Sequence, residues 1–280
     1  MAGPLPYIPW RGFCIFALSG QAAFLSTLIV IPARLGATRL PRKPLRLLGG
    51  APLILRVWER VAAMQVADRV VVATDSSDVA AVVRAGGAEV AMTRDDHVSG
   101  TDRVAEVAAN PEYAGYDVIV NVQGDEPYIN ADAIRGAASF VERGTYPLGT
   151  AASPALPEIL ANPAVVKVVT DDHHRALYFS RAPIPFLRDD ADRAQRDALV
   201  MQHLGVYAYS RDALRRWVSL PPHPLELTER LEQLRALADG RAMGVATAAP
   251  VAGGGIDTEE DLALADARWT LDHPAAGTLS

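Results

Sequence analysis

Between residues 32 and 44 the chain carries Arg34, Arg39, Arg42 and Lys43, with three prolines and no acidic residue among them. Four cations in so short a segment suit an anionic ligand, and the planar guanidinium fork matches phosphate oxygens. The segment holds one glycine and no Gly-Lys-Ser/Thr ending, so it is not a Walker A loop, and a Gly-x-Gly-x-x-Gly dinucleotide pattern is absent. A solvated basic loop would have the same composition. Its place directly behind the β-branched run 27–31 shifts the reading toward a triphosphate site.

Two carboxylates stand out for a hard divalent cation. Asp125 follows the apolar run 118–122, where a carboxylate at a strand end can hold such an ion, although Gly-Asp before Pro127 is turn chemistry in its own right. Asp257 follows three glycines at 253–255 that let backbone approach a ligand; with Glu260 it also fits a helix capping box. Between them, Ser99, Gly100 and Thr101 precede a helical stretch. They read either as an N-cap or as amides and hydroxyls that face a base edge. Asp95, Asp96, His97 and Asp102 are of metal-ligand type but match no zinc spacing, and no Gly-x-Ser-x-Gly elbow supports a hydrolase triad.

The elements that must position these residues follow from patterning. Strands are expected at 27–31, 69–74, 89–92 and 118–122, and helices at 52–64, 77–85, 102–109 and 131–143. Continuous apolar strands with helical crossovers imply a doubly wound α/β architecture around a mostly parallel sheet, with ligands beyond the carboxyl ends of the strands. After about residue 150 the rhythm changes. Strands are expected at 165–170, 203–209 and 242–248, and an arginine-rich loop at 188–196. One amphipathic helix is expected over 224–239, with Leu227, Leu231, Leu234 and Ala238 on one stripe, and a closing helix over 258–271. This half extends the sheet and adds a lid or dimer-forming arm.

The chain has 280 residues, half of them apolar, and a formal net charge of −6, which argues against disorder and against duplex nucleic acid as the main partner. Cys14 is the single cysteine, so neither a disulfide framework nor a cysteine-built metal site is available. The uncharged stretch 12–33 has the length of a membrane span, but polar residues dilute it and its end has the character of a buried strand. Residues 1–26 are therefore read as a non-essential extension of a cytoplasmic protein. Lys43 and Lys167 are the only lysines, and for Lys167 a site role and strand-end pairing are both open.

Taken in order, several motifs become specific together: Ile31-Pro-Ala-Arg34, Arg39-Leu-Pro-Arg-Lys43-Pro-Leu45, Ala73-Thr74-Asp75, His97-Val-Ser99-Gly100-Thr101, Gln123-Gly-Asp125-Glu-Pro127, Val165-Val-Lys167, Tyr178-Phe-Ser-Arg181, His203-Leu-Gly-Val-Tyr207, Leu231-Glu232-Gln233 and Gly255-Ile-Asp257. From about residue 27 to 266 the chain closely resembles the 3-deoxy-manno-octulosonate cytidylyltransferases, the CMP-Kdo synthetases. The resemblance implies a nucleotide-diphospho-sugar transferase-like, Rossmann-like domain over 27–280. Its nucleotide-binding half would be 27–150 and its sugar-binding and dimerisation half 151–280. It also implies CTP and Kdo as substrates, Mg²⁺ as the cofactor, a homodimer, and a product used for lipopolysaccharide-type glycans.

Carried onto this sequence, the resemblance gives Arg34, Lys43, Asp125 and Asp257 as catalytic residues, the two aspartates holding Mg²⁺. Arg34, Arg39, Lys43, Thr74, Ser99, Gly100, Gln123 and Asp125 would bind the nucleotide. Gln123, Arg181, His203, Tyr207, Glu232 and Gln233 would position the sugar acid. Without the resemblance, His203 and Tyr207 could be core residues, Arg181 a structural bridge, and Glu226 with Arg230 or Glu232 with Arg235 surface pairs. Arg42 stands where the family usually has glycine, and Ala37 where it usually has serine. The alternatives are a cytidylyltransferase for a related sugar acid, such as 8-amino-Kdo or an acylneuraminate, and a non-catalytic nucleotide-binding module.

Overall fold

The computed structural model describes residues 25–36, 39–251 and 253–272. Ala37 and residues 1–24, which include most of the uncharged N-terminal stretch and Cys14, lie outside the described residues. The strands are β1 (Thr27–Ala33), β2 (Leu47–Leu48), β3 (Ala51–Pro52), β4 (Arg69–Thr74), β5 (Glu89–Met92), β6 (Val118–Asn121), β7 (Leu148–Pro154), β8 (Lys167–Thr170), β9 (Ala176–Ser180), β10 (Met201–Ser210) and β11 (Met243–Thr247). The helices are α1 (Leu53–Ala63), α2 (Ser77–Ala85), α3 (Gly100–Ala109), α4 (Ala131–Glu142), α5 (Arg193–Asp197), α6 (Arg211–Ser219), α7 (Pro224–Glu229), α8 (Gln233–Ala238) and α9 (Glu259–Asp272).

Nine strands form one sheet whose main path runs β11, β7, β10, β6, β1, β4, β5, with β8 and β9 branching from β10. In the first half every pairing within it is parallel. Its antiparallel pairings all involve β8, β9 or β10, because β10 runs against both β6 and β7. The two halves of the chain therefore share a single doubly wound α/β sheet. Along β1 the apolar side chains alternate: Ile29 and Ile31 join one core with α1, α2 and α4, while Leu28 and Val30 join the other with α3, α6 and α8. Both faces are covered, which is why the strand is apolar at every other position and also in between.

Several expectations need correcting. The single helix over 224–239 is two short helices, broken at Arg230, which sits in the left-handed region at φ 54°. Of its predicted stripe only Leu231 and Leu234 are buried; Leu227 is half exposed and Ala238 is exposed. The ion pair on this segment joins Glu226 to Arg235, at 2.6 Å, and not to Arg230. The arginine-rich loop contains α5. The capping box ahead of α9 uses Thr258 and Asp261 rather than Asp257 and Glu260, with Asp261 accepting the backbone N–H groups of both Asp257 and Thr258.

Strands β7 and β9, helix α6 and the small β2/β3 hairpin carry no signal in the sequence reading. In β7, Leu-Gly-Thr-Ala-Ala-Ser-Pro is rich in small residues with low strand preference, yet it is paired on both sides. Its small residues serve packing: a Cβ on Gly149 would lie 2.0 Å from the Ala137 carbonyl oxygen of α4.

Candidate active site

A cleft of about 240 Å³ opens at the carboxyl ends of β1 and β6 and is walled by the turn into α3. Its floor comes from Pro32 and Gly100, where a Cβ on the glycine would meet the proline ring at 3.3 Å. Arg34, Lys43, Ser99, Gln123, Asp125 and Asp257 line it. Asp125 and Asp257, which approach from different halves of the sequence, meet on one ammonium. Lys43 Nζ donates to Asp125 at 2.5 Å and to Asp257 at 2.8 Å, and Arg39 reaches Asp257 at 3.0 Å. Burial alone would lower the Lys43 ammonium, but the two facing carboxylates outweigh it and hold its pKa above the ordinary value.

The segment that delivers Asp257 is laid directly against the Asp125 turn. Ile256 N–H donates to the Asp125 carbonyl at 3.0 Å. At Gly255 a Cβ would sit 3.0 Å from Glu126 Oε1 and 3.9 Å from the Asp125 carboxyl carbon, so any side chain there would crowd the Glu126 carboxyl. Glu126 itself is pushed up to about 8, first by burial and then by the Asp125 charge. It is therefore largely protonated at neutral pH and adds little negative charge beside Asp125 and Asp257.

Around this centre the basic loop divides. Arg34 is exposed and, among the described residues, its guanidinium has no partner. Arg42 adopts φ 54°, the left-handed backbone that the family's glycine would supply, and is tied to Asp78 of α2 at 2.8 Å. Thr74 is fully buried at the end of β4, where its hydroxyl accepts the Ser76 N–H; it does not line the cleft.

Ser99 caps α3, exchanging hydrogen bonds with Asp102 in a capping box. Its hydroxyl also lies 3.1 Å from Glu232 Oε1, and Thr101 donates to Glu232 Oε2 at 3.1 Å. Glu232 thus reaches from the second half of the chain to the turn that borders the cleft. Burial pushes its carboxyl above the ordinary range, against the opposing pull of these hydroxyls.

The remaining sugar candidates, like Glu232, are not among the residues that line this cleft. His203 is buried, bonded to Thr150 at 2.9 Å and set edge-on to Phe179 with centroids 4.9 Å apart. Burial pushes its imidazole down to about 3, so it is neutral at physiological pH. Tyr207 lies 5.4 Å from it across the β10 bulge, and burial raises its phenol well above the usual value. Gln233 is buried at the start of α8. The Arg181 guanidinium is committed to backbone, donating to the carbonyls of Glu229 at 2.8 Å and Pro163 at 2.8 Å. Lys167 is fully buried and donates to three carbonyls, Asn162, Val165 and Arg181, at 3.1, 2.7 and 2.6 Å; it staples the β8/β9 hairpin rather than facing the cleft.

Sequence reasoning passed over Arg103, Glu126 and the partnership of Thr101 with Glu232. Arg103 lines the cleft and is buried, paired to Asp75 at 3.2 Å. The available signal was a charge on the apolar stripe of α3, beside Val104 and Val107.

The cytidylyltransferase family profile matches residues 28–243. A 3-deoxy-manno-octulosonate cytidylyltransferase of Gemmatimonas aurantiaca is 59% identical over 251 residues, covering 90% of this chain and 97% of that protein. One of Leptothrix cholodnii is 46% identical over 243 residues, covering 85% and 89%. A solved structure of CMP:2-keto-3-deoxy-manno-octonic acid synthetase complexed with CTP superposes with a TM-score of 0.81 at 37% identity, over 89% of this chain and 100% of that one. The inositol-1-phosphate CTP transferase of T. maritima, with a TM-score of 0.60 at 15% identity over 89% and 97%, shares the fold.

Proposed function

The chain belongs to the 3-deoxy-manno-octulosonate cytidylyltransferase family, and from that membership we infer its reaction: CMP passes from CTP to the anomeric hydroxyl of 3-deoxy-D-manno-octulosonate (Kdo), giving CMP-Kdo and pyrophosphate. The new bond joins the anomeric oxygen to the α-phosphorus. The bond from that phosphorus to the bridging oxygen breaks, pyrophosphate leaves with the electron pair, and the hydroxyl proton passes to solvent. The observation that carries this reaction to the cleft is the convergence of Asp125 and Asp257 on Lys43 beside Arg34 and Arg39.

A nucleoside triphosphate brings about four negative charges that repel both an attacking oxygen and a sugar carboxylate, so fixed cations must offset them. Arg34 in the cleft lining and Arg39 beside Asp257 would meet that need, with Lys43 between the two aspartates as a compact point charge. Ser99 and Gly100 line the same space and would read the cytosine, and Gln123, also in the lining, would contact both nucleotide and sugar.

The donor set fits Mg²⁺. Among the described residues no cluster of three or more ligating side chains occurs, but Mg²⁺ is commonly held by one or two carboxylates with phosphate and water completing the shell. Asp125 and Asp257 would be those carboxylates, and the ion would neutralise charge developing on the transferred phosphoryl group. On the sugar side, Glu232 would present an acceptor for hydroxyl groups, and neutral His203 with Tyr207, whose rings are 5.4 Å apart, would add further contacts. Arg181 would contribute by holding the hairpin through its carbonyl bonds.

The same reading extends to a cytoplasmic homodimer whose product serves lipopolysaccharide-type glycans. The second half exposes Leu156, Leu177, Phe186 and Leu199, apolar side chains that a partner subunit would cover. Among the described residues no helix is long and apolar enough to cross a membrane. Pyrophosphate release from CTP and Mg²⁺ tests the reaction: it is expected with Kdo and to be far slower with an acylneuraminate, and the reverse order would overturn the assignment.

A further inference from the structure

Glu232 is a largely buried carboxylate with no ion-pair partner among the described residues; the nearby Arg235 is engaged by Glu226 through two hydrogen bonds of 2.6 and 2.8 Å. What holds it instead comes from the other half of the chain, the hydroxyls of Ser99 and Thr101 in the first turn of α3. These two are not equivalent. Ser99 has one hydroxyl proton and two carboxylates within reach, Asp102 at 3.0 Å and Glu232 at 3.1 Å, while it also accepts the Asp102 N–H. When that proton goes to Asp102, Glu232 loses it. Thr101 has no such competitor among carboxylates: it is buried and donates to Glu232 Oε2 at 3.1 Å, with the Tyr209 phenol as its other hydrogen-bonding neighbour.

We propose that Thr101 is a positioning residue for the sugar acid, fixing the Glu232 carboxylate from the nucleotide half of the fold. The inference rests on the Kdo reading above, in which Glu232 accepts a hydroxyl of the sugar. A buried carboxylate held by neutral donors alone is sensitive to each of them, because the lost bond is not replaced by water. Through the same contact the turn beside the cytosine and the sugar-binding carboxylate form one hydrogen-bonded unit.

Thr101→Val keeps the shape and removes the donor, and Thr101→Ser keeps the donor. In steady-state assays with CTP, Kdo and Mg²⁺, Thr101→Val is expected to raise KM for Kdo about tenfold, with KM for CTP changed by less than about twofold, and Thr101→Ser to restore the Kdo value. An unchanged KM for Kdo in a folded valine variant, proportional rises in both KM values, or failure of serine to restore the Kdo value would each overturn the proposal. If the valine variant does not fold, Thr101→Ala removes the hydroxyl without a new methyl contact and decides by the same criteria. Wild-type turnover with Kdo separates the two readings: its absence refutes the reaction itself, whereas its presence beside an unaffected valine variant refutes only the role of Thr101.

Discussion

Asp125 and Asp257 lie on either side of one ammonium, 2.5 and 2.8 Å from Lys43 Nζ, although they come from different halves of the chain. Like charges this close would repel strongly in a partly buried cleft without a cation between them. The backbone enforces the arrangement as well. The Asp125 carbonyl accepts from Ile256, and Asp261 holds the N–H groups of Asp257 and Thr258, so both ends of the pair are fixed before any ligand arrives.

Gly255 is where that enforcement can be broken with one methyl group. A Cβ there meets Glu126 Oε1 at 3.0 Å, so the Glu126 carboxyl or the 253–257 segment must give by a few tenths of an ångström beside the Asp125 turn. Gly255→Ala is expected to lower kcat/KM by up to about tenfold, since small misplacements of catalytic groups are costly. Circular dichroism should show an intact fold. Wild-type kinetics in the alanine variant would show that the close approach is unimportant.

Acid stability should depend on His203. Its imidazole titrates near 6.5 in the unfolded chain but is pushed down to about 3 in the fold by burial. The unfolded state therefore binds a proton that the folded state refuses, and stability is lost as pH falls from about 6.5 toward 3. Urea midpoints measured across that window should fall less steeply for His203→Asn than for the wild type. Parallel curves would mean that the imidazole is protonated in the fold.

Arg42 carries its side chain on left-handed backbone at φ 54°. That conformation costs a non-glycine residue about 1–2 kcal/mol, and the exposed pair with Asp78 returns at most about 1 kcal/mol. Because glycine also loses more chain entropy on folding, Arg42→Gly is expected to leave stability within about 1 kcal/mol of the wild type. Arg42→Val, branched at Cβ, should be clearly destabilised. Thermal denaturation of the pair checks this, and a valine variant as stable as the glycine one would contradict the strain at this position.

Much of the first half was legible because its local and tertiary signals agree. The residues of β4, β5 and α2 show apolar runs bounded by turn or cap residues, and these elements fold where the pattern says. The second half was less so. Strand β7 is made of small residues that are chosen by the helix pressing on Gly149 and not by strand preference. The 224–239 stretch keeps a helical period, but Arg230 turns the chain and thereby aims Glu232 at α3. In the site, the type and order of Arg34, Lys43, Asp125 and Asp257 pointed to phosphate and metal chemistry. That Lys43 would stand between the two aspartates, and that Thr101 would hold Glu232, depends on side-chain contacts between segments far apart in the chain, which no local pattern records.

The central claim is that Asp125 and Asp257 act as one unit. Its most direct test is kcat/KM for CMP-Kdo formation in Asp125→Asn, Asp257→Asn and the double variant, each verified as folded. Each single change is expected to slow turnover by about two orders of magnitude or more, and the double variant to be about as slow as the worse single one. Losses that multiply in the double variant, or a single variant with near wild-type turnover, would contradict the account.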